Sequence, residues 1–512
     1  MSGFLDALTR VPLLLAAHVL LAISALALAV LIATPLAIWS ARNPRVARVA
    51  LGFASLVQTI PSLALLALFF PLLLSLSALV GGGIPALGFL PSLLALTLYA
   101  LLPLLRNGVA GINGIDPAVI EAADAVGMTP AQKLRLVEAP LAAPVAIAGL
   151  RTAAVWTIGA ATLSTTVGQP SLGDLIFAGL QTQSWSLVLA GCFAAALLAL
   201  AVDAGVGLVE RGIATRRQGL WIGALVALAM GLAAATAPLW PRGDDRRTVV
   251  VGAKNFAEQY ILARLIGERL EHAGYRVEYR DGLGSAVIFG AVAQGAIDVY
   301  VDYAGTIWTN EMHRDDVPDR AAMLRAIGEW SATTHGVRLL ASLGFENAYA
   351  FAMKEGDARA KGIATLADLA AQSPSLRLGS DLEFLERPEW AAVKRAYPFR
   401  FAATTPYSPT FMYQALASDR VDAITAFSSD GRIAAEKLRV LTDPKHAIPG
   451  YDAIMLVAPD RAKDDRFLTA LRPLAGRIDV AAMREANLQV DREADKRTPD
   501  QAARWLATKI GL

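Results

Sequence analysis

The residue types that most often perform chemistry are sparse in this chain. Its 512 residues include five His and a single Cys, Cys192, which lies inside an apolar run. One cysteine excludes a disulfide framework and a cysteine-based metal site. Neither Gly-x-Ser-x-Gly nor the phosphate-binding pattern Gly-x4-Gly-Lys-Ser/Thr occurs, and no Gly-x-Gly-x-x-Gly follows a predicted strand. The sequence therefore predicts no catalytic centre, no metal site and no bound cofactor.

One segment, residues 121–140, does have a distinctive spacing. Its first part, Glu-Ala-Ala-Asp-Ala-Val-Gly, predicts a helix that ends at Gly127. Thr129 followed by Pro130 predicts the N-terminus of a second helix, which we expect to end at Pro140. By itself, such a helical pair is compatible with a plain connector.

The charged residues that surround this segment are unevenly distributed. Of the 47 Lys and Arg and the 45 Asp and Glu, only about 19 lie in residues 1–240, and 55% of the whole chain is hydrophobic. This composition predicts a membrane portion, since about 20 consecutive apolar residues span a bilayer. The formal net charge of +2 excludes the basic field that is typical of nucleic-acid-binding proteins.

Six apolar segments predict six membrane spans, at residues 12–37, 50–79, 85–104, 142–166, 184–207 and 219–240. Basic residues cluster after the first, third and fifth spans: Arg42, Arg45, Arg48, Arg106, Lys133, Arg135, Arg211, Arg216 and Arg217. Loops rich in Lys and Arg face the cytoplasm. We therefore expect a multi-pass protein of the bacterial inner membrane, with its N-terminus and everything after Trp240 on the outer side.

Two features of these spans leave alternatives open. Pro61 lies inside the second span, where it either kinks the helix or lines a path. The small residues at 233–237 in the last span resemble a cleavage site, so this span is either retained or cut to release the second half. We expect it to be retained, with a transmembrane domain at 1–240 and an extracytoplasmic domain at 246–512.

The second half alternates short strands with helices. Residues 248–252, 275–279 and 298–301 have strand patterns, residues 256–272 and 284–295 have helical patterns, and a second series runs from about 348 to 439. This alternation predicts parallel α/β sheets. Residues 451–457 have the pattern of a strand that returns to the first lobe. Two α/β lobes joined in this way form a cleft, which is where ligands bind.

The segment at 121–140 resembles the coupling-helix motif of ABC importer permeases, with Ala139 in place of the usual Leu. Residues 58–62 and 149–177 are similar to permeases of the osmoprotectant uptake branch. The resemblance implies a separate ABC ATPase that docks on the segment, and two copies of the permease half in each importer. The ATPase-coupling residues that it implies are Glu121, Ala122, Ala123, Gly127 and Pro140.

Residues 252–260, 302–306 and 427–433 resemble the substrate-binding proteins of glycine betaine, carnitine and choline importers. The resemblance implies a two-lobed type II periplasmic-binding-protein fold and a small quaternary ammonium ligand. Such a ligand has no N–H to donate, so aromatic faces bind it. The positions that match the family's site are Tyr303 and Tyr349 for the aromatic cage, Gln259 and Thr306 for the polar end of the ligand, and Phe427, Tyr407 and Tyr413 as further candidates for its walls.

The remaining candidates for the walls of the site, and two departures from the family's usual residues, leave the identity of the ligand undecided. Tyr407 lies in a Pro-flanked loop and is free to face the cleft, whereas Tyr413 lies in a helical run and could equally belong to the core. Phe427 stands where the family often has Tyr; the two further departures are Leu382, where the family often has a polar residue, and Ala257, where it frequently has Thr. The expected function is import of glycine betaine, choline or carnitine. The alternatives are import of another betaine such as ergothioneine, and a membrane-bound solute sensor without transport.

Overall fold

The computed structural model describes residues 2–80, 84–181, 184–239, 247–314, 316, 318–381, 384–492 and 495–512. Contacts divide the chain into two compact units. The first comprises Met1–Phe177 and Trp185–Asp244, and the second comprises Ala178–Ser184 and Asp245–Leu512.

The first unit is entirely helical in its described residues. Its α-helices are α1 (Ser2–Arg42), α2 (Pro44–Thr59), α3 (Ser62–Leu79), α4 (Phe89–Asn113), α5 (Pro117–Ala125), α6 (Pro130–Lys133), α7 (Ala139–Ala161), α8 (Gly173–Gln181), α9 (Trp185–Ala214) and α10 (Gln218–Thr236), of which α8 continues from Ala178 onward into the second unit. A π-helical turn (Leu134–Glu138) joins α6 to α7, and a 3-10 helix (Thr162–Val167) follows α7. Five described helical stretches are long and apolar enough to cross a membrane.

The predicted second span is a bent pair of helices. α2 and the Ser62–Ser77 part of α3 meet at 103°, and together they make a sixth candidate span. The break frees backbone carbonyl groups, and the Tyr99 hydroxyl donates to one of them, the Ile60 carbonyl oxygen, at 2.5 Å. Pro61 has no N–H with which to continue the ladder, so the break falls where the sequence predicts a disturbance. With the bent pair counted as one span, the structure has helices for all six predicted spans.

The second unit contains ten strands in two sheets. They are β1 (Thr248–Lys254), β2 (Arg276–Leu283), β3 (Val299–Tyr303), β4 (Arg338–Glu346), β5 (Tyr349–Lys354), β6 (Arg377–Asp381), β7 (Ala403–Tyr407), β8 (Ala423–Phe427), β9 (Leu438–Leu441) and β10 (Asp452–Val457). The first sheet has the order β2-β1-β3-β10-β4 and the second the order β7-β6-β8-β5-β9.

Helices surround these sheets. They are α11 (Ala257–His272), α12 (Ser285–Ala293), α13 (Ala304–Thr306), α14 (Arg320–His335), α15 (Glu355–Ala360), α16 (Leu366–Gln372), α17 (Pro388–Ala396), α18 (Pro409–Ala417), α19 (Arg432–Ala435), α20 (Asp465–Leu471), α21 (Val480–Asp491) and α22 (Pro499–Lys509). A π-helical turn (Ile307–Glu311) follows α13. The remaining short 3-10 turns connect these elements.

The return of the chain to the first lobe is confirmed. β10 pairs antiparallel with both β3 and β4, so the strand predicted at 451–457 lies inside the first sheet. The first lobe begins with the parallel pair β1 and β2, and the second contains the parallel strands β6, β7 and β8. The chain passes from the first lobe to the second between β4 and β5, and it passes back between β9 and β10.

Candidate ligand-binding site and coupling segment

A cavity of about 70 Å³ lies where the two lobes meet. The start of α11 contributes Phe256, Ala257 and Glu258 from the first lobe, and the end of β8 and the residues after it contribute Phe427, Ser429, Asp430 and Arg432 from the second. Asn347 comes from the first crossover, and Asn487 and Asp491 come from α21. The cavity therefore joins both lobes and a crossover, as the cleft of a two-lobed fold requires.

Glu258 is the centre of a hydrogen-bond network beside this cavity. Its side chain is buried, and its Oε1 accepts from the Tyr303 hydroxyl at 2.5 Å and from Asn347 Nδ2 at 3.1 Å. Its Oε2 accepts from Asn487 Nδ2 at 2.8 Å. Burial raises the pKa of the Glu258 carboxyl, and these donors oppose the rise.

Gln259 and Tyr303, two of the predicted ligand residues, are hydrogen-bonded to each other next to Glu258. Gln259 Nε2 donates to the Tyr303 hydroxyl at 3.0 Å, and Gln259 Oε1 accepts from the Lys254 backbone N–H at 3.3 Å. Both polar atoms of the Gln259 amide are thus engaged within the protein. The Tyr303 ring stacks on Phe256 with a centroid distance of 6.2 Å.

Tyr349 and Phe427, two further predicted residues, are also neighbours. They face each other on the antiparallel strands β5 and β8, and their ring centroids are 5.1 Å apart. Phe384 and Tyr451 surround the same Tyr349 ring at 4.6 and 5.8 Å. Sequence reasoning missed these two rings and Phe256, although Phe256 lies inside a segment that carries the family resemblance.

A buried polar network joins the lobes next to Tyr349. Glu389 at the start of α17 accepts from the Thr309 hydroxyl of the first lobe at 3.0 Å, from Arg387 Nη2 at 3.0 Å and from the Tyr451 hydroxyl. Burial opposes ionisation of Glu389, but Arg387 holds the pKa of its carboxyl below the usual value. The Arg387 guanidinium also lies 5.3 Å from the centroid of the Tyr349 ring. The sequence carried no signal for this network, because its partners are far apart along the chain.

Among the described residues, Phe427 is the one predicted ligand residue that lines the cavity. Thr306 is buried at the end of α13, three residues after Tyr303. Tyr413 is buried in the core of the second lobe, where the Arg432 guanidinium covers its ring at 4.0 Å. The prediction that Tyr407 lies in a loop was wrong: it ends the edge strand β7, because it continues the parallel register with Asp381 of β6. Leu382 lies outside the described residues.

The segment predicted to dock an ATPase has the expected helix–turn–helix start. Gly127 adopts a φ of +77°, which glycine tolerates best, and Thr129 forms a capping box with Gln132. Glu121 and Ala122 are exposed, whereas Ala123 is buried.

The prediction that the second helix ends at Pro140 was wrong. The Ala139 N–H bonds the Leu134 carbonyl oxygen across a π-helical turn, and the chain continues into α7. Inside a regular α-helix, proline clashes with the carbonyl of the preceding turn. The wider π turn precedes Pro140 directly, so Pro140 stands at the start of α7, where its missing N–H is tolerated. Glu138, at the end of the π turn, is buried and pairs with Arg42 of α1 at 2.8 Å.

Comparison with known families accounts for both units. A model described as the substrate binding domain of ABC-type glycine betaine transport systems matches residues 247–508, which is more than half of the chain. The chain belongs to this family. A second model, the inner membrane component of binding-protein-dependent transport systems, matches residues 33–215. This ABC transport protein is therefore a multi-pass permease and a substrate-binding domain in one polypeptide.

Curated relatives cover one or both parts of this ABC transport protein. The ergothioneine transport permease/ergothioneine binding protein EgtU of Helicobacter pylori is 30% identical over 90% of this chain and 83% of its own length. The choline transport system permease protein OpuBB of Bacillus subtilis is 39% identical over 38% of this chain and 84% of its own length. A crystal structure of a glycine betaine/carnitine/choline ABC transporter component is 27% identical, covers 51% of this chain and 98% of its own, and has a TM-score of 0.46.

Proposed function

We propose that this protein imports a small quaternary ammonium solute. The observation that carries the proposal is the grouping of aromatic rings beside an acidic cavity: Tyr303 with Phe256, and Tyr349 with Phe427. A quaternary ammonium binds to the faces of such rings, and each desolvated contact is worth about 0.5–2 kcal/mol. The matched family and the choline and ergothioneine relatives support this class of solute.

The charges around the cavity favour a cation. Glu258, Asp430 and Asp491 line it, and Arg432 is the one basic side chain among its described lining residues. Arg432 is already paired with Asp430, Nη2 to Oδ2, at 2.6 Å. The described lining residues therefore carry three carboxyl groups and one guanidinium, a balance that attracts a positive ligand group.

ATP hydrolysis is assigned to a separate ATPase that docks on residues 121–140. The sequence contains no phosphate-binding loop pattern, and the segment presents two apolar side chains, Val126 directly after α5 and Leu136 in the π-helical turn, which are 72% and 61% exposed. We expect the docked ATPase to cover these two side chains. Two copies of the 1–240 permease domain would pair in the importer, and the distribution of basic loops favours an outer position for the 246–512 domain.

Calorimetric titration of the full-length protein in detergent tests the binding step. We expect at least one of glycine betaine, choline, carnitine and ergothioneine to bind. Replacing Tyr349 by Leu should weaken binding of that solute about 3- to 30-fold, which corresponds to the loss of one cation–π contact. Tyr275, a buried aromatic residue that pairs with Phe467, provides the matched control, and Tyr275→Leu should leave the affinity unchanged. Absence of binding by all four solutes would overturn the proposal.

Uptake into proteoliposomes then separates an importer from a sensor. Reconstitution with the ATPase partner should give ATP-dependent accumulation of the bound solute. A protein that binds the solute but never accumulates it would be a sensor.

A further inference from the structure

Two charged residues lie inside the predicted membrane spans. Within the six predicted segments, Arg151 of the fourth and Asp203 of the fifth are the only Lys, Arg, Asp or Glu residues. Arg151 follows residue 142, the start of its span, by nine positions, which corresponds to about 13 Å at the rise of an α-helix. In the proposed topology, the guanidinium therefore lies inside the hydrocarbon layer. Charged side chains in that layer are costly, and those that occur there mark functional sites.

The two residues form an ion pair that is fitted onto the surface of α9. Arg151 Nε and Nη2 donate to Asp203 Oδ1 and Oδ2, each at 2.6 Å. Gly207, one turn further along α9, leaves room for the guanidinium, since an added Cβ would lie 3.3 Å from Arg151 Cζ. Glu210 is held more weakly, because its Oε2 lies 3.7 Å from Arg151 Nη1.

These charges are not enclosed between the helices, as a pair that only fastened α7 to α9 would be. The side chains of Arg151, Asp203 and Glu210 are 38%, 32% and 29% exposed. They open onto a groove of about 410 Å³, which we call the α7–α9 groove. Its other described lining residues, all on α7, are Ala148, Thr152, Val155 and Trp156. Partly exposed charges inside a membrane face water or protein and avoid lipid chains.

The exposed face of α7 along this groove is unlike a surface that contacts lipid. It presents the Thr152 side chain and the Trp156 ring, which is 51% exposed. Trp156 is close to the middle of the fourth predicted span, whereas tryptophans that contact lipid are enriched at the membrane surface. Helix α9 has a different face, with Leu189 and Phe193 exposed by 59% and 60%. The groove is therefore polar and aromatic, and its neighbouring surface is apolar.

We propose that the α7–α9 groove is a water-filled part of the route by which the cationic solute crosses the permease. The proposal rests on the proposed function and names a second site for the same solute, inside the membrane half. With two carboxylates and one guanidinium, the groove has a net negative charge, which attracts a cation. The Trp156 ring offers the ammonium an aromatic face, and Glu210 is the carboxylate that Arg151 neutralises least.

Thiol labelling tests whether the groove contains water. Thr152→Cys places a thiol in it, and Cys192→Ser removes the single native thiol. Full-length protein and its ATPase partner are treated in inverted membrane vesicles, during ATP hydrolysis, with a methanethiosulfonate reagent that carries a trimethylammonium group. Cys192 of the unsubstituted chain, exposed beside Phe193 on the apolar face of α9, is the matched control. We expect Thr152→Cys to react at least about 10-fold faster than Cys192, because the thiolate that reacts forms in water.

A second reagent tests the selection of cations. A methanethiosulfonate that carries a sulfonate should react with Thr152→Cys at least about 5-fold more slowly, after both rates are divided by those of a free cysteine peptide. Glu210→Gln should bring the ratio of the two normalised rates close to 1, because the remaining Arg151–Asp203 pair is neutral. Asp116→Asn, which removes an exposed carboxylate of the same unit and still caps α5, should preserve the ratio.

Labelling requires no solute, so its outcome is independent of the binding and uptake experiments. If Thr152→Cys resists both reagents, the groove faces lipid or a second copy of the chain, and the inference is overturned. Oxidative cross-linking of two copies through this thiol identifies the second copy. Equal normalised rates with the two reagents would overturn the selection of cations. Failure of all four solutes to bind would remove the proposed function, and with it the cargo of the groove.

Uptake by a variant at Trp156 locates the contact with the solute. Trp156→Leu should lower the rate of ATP-dependent uptake at least about 5-fold, because the solute loses an aromatic contact inside the permease. The solute affinity measured by calorimetry should stay the same, because the binding domain is unchanged. Trp39→Leu, which removes a ring that is 60% exposed on α1, is the matched control and should leave both quantities unchanged. Thermal unfolding checks that each variant is folded. Equal uptake by the two variants would overturn the assignment of Trp156.

Discussion

The two halves of the molecule place their apolar side chains in opposite ways. The large apolar side chains that are exposed fall in residues 1–239, with Phe411 the single exception among the described residues. The fully buried aromatic side chains among the largest, such as Trp308, Tyr300 and Tyr397, belong to the second unit. The second unit therefore excludes water from an aromatic core, as soluble domains do. The first unit turns its apolar side chains outward, as helices in lipid do.

The interiors of the two halves differ for the same reason. A central cluster of the helical unit is built largely from alanines, including Ala29, Ala33, Ala37 and Ala54, which allow helices to approach closely. In lipid, close packing of small residues replaces the hydrophobic effect as the force between helices. In the α/β unit, buried charges such as Lys254 and Asp302 occur inside the fold, where they must be paired. Each half should therefore lose stability through a kind of substitution that the other half tolerates.

The largest expected effect comes from unpairing a buried charge in the α/β unit. Lys254 Nζ and Asp302 Oδ1 are 2.5 Å apart, with side chains only 3% and 1% exposed. Lys254→Met leaves the Asp302 carboxylate buried without its cation and should lower the free energy of unfolding of this unit by about 3–5 kcal/mol. Urea denaturation followed by hydrogen exchange of β1 and β3 peptides measures the loss. Arg359→Met breaks the exposed pair with Glu355 and should cost less than about 1 kcal/mol. Equal losses would contradict the comparison.

In the membrane half, the corresponding weak point is the backbone break at Ile60. Tyr99→Phe removes the hydroxyl that bonds the Ile60 carbonyl oxygen. Because no water replaces this donor in lipid, thermal stability in bilayers should fall by about 1–3 kcal/mol. Tyr275→Phe, which removes a hydroxyl bonded to Asp464 at 3.0 Å in the other unit, should leave the unfolding of the helices unchanged. If Tyr99→Phe leaves the thermal stability of the membrane half unchanged, the hydroxyl does not stabilise the helix break at Ile60.

A smaller effect should separate solute binding from ATP hydrolysis. Gly127 has a φ of +77° with no atom within 4 Å of an added Cβ, so Gly127→Ala acts only through the backbone, at a cost of about 1–2 kcal/mol. Solute-stimulated ATPase activity of the reconstituted importer should fall several-fold, while solute affinity stays the same. Gly219→Ala, which has equal space and lies inside α10, is the control. A parallel loss of solute binding would contradict the assignment of residues 121–140 to ATPase coupling.

The smallest effect is a dependence of solute affinity on pH. Burial raises the pKa of the Asp491 carboxyl to about 7, while the Arg432 guanidinium opposes the rise and the Asp430 and Glu258 carboxyls add to it. Ionisation adds negative charge to the cavity as pH rises through that value, so affinity for a permanent cation should increase between about pH 6 and pH 8. Asp491→Asn should flatten the profile in calorimetric titrations. An unchanged slope in this variant would assign the titration to another group.

Most of the fold could be predicted from the sequence because its signals are local. Strand β1 and helix α11 begin within a residue or so of the predicted positions, since each combines a clear period with a clear start. The continuation of the helix through Pro140 could not be predicted, because a π-helical turn leaves no recognisable pattern. Tyr407 was misplaced because its flanking prolines are also compatible with an edge strand.

The site was less predictable than the fold. The family resemblance pointed to Tyr303, Tyr349, Gln259 and Phe427, which do lie close to one another or to the cavity. The central role of Glu258 is visible only once residues from the first crossover and from α21 meet it. The network around Glu389 likewise brings together residues about 60 to 80 positions apart.

The break between α2 and α3 also affects the topology of the whole chain. Five long apolar stretches among the described residues make an odd number of crossings, and the bent pair can make the number even. In the proposed topology, with the N-terminus and residues 247–512 both outside, the two short helices together complete one crossing. In that topology, the side of the membrane on which the binding domain would capture its solute depends on how these two helices run on either side of one proline.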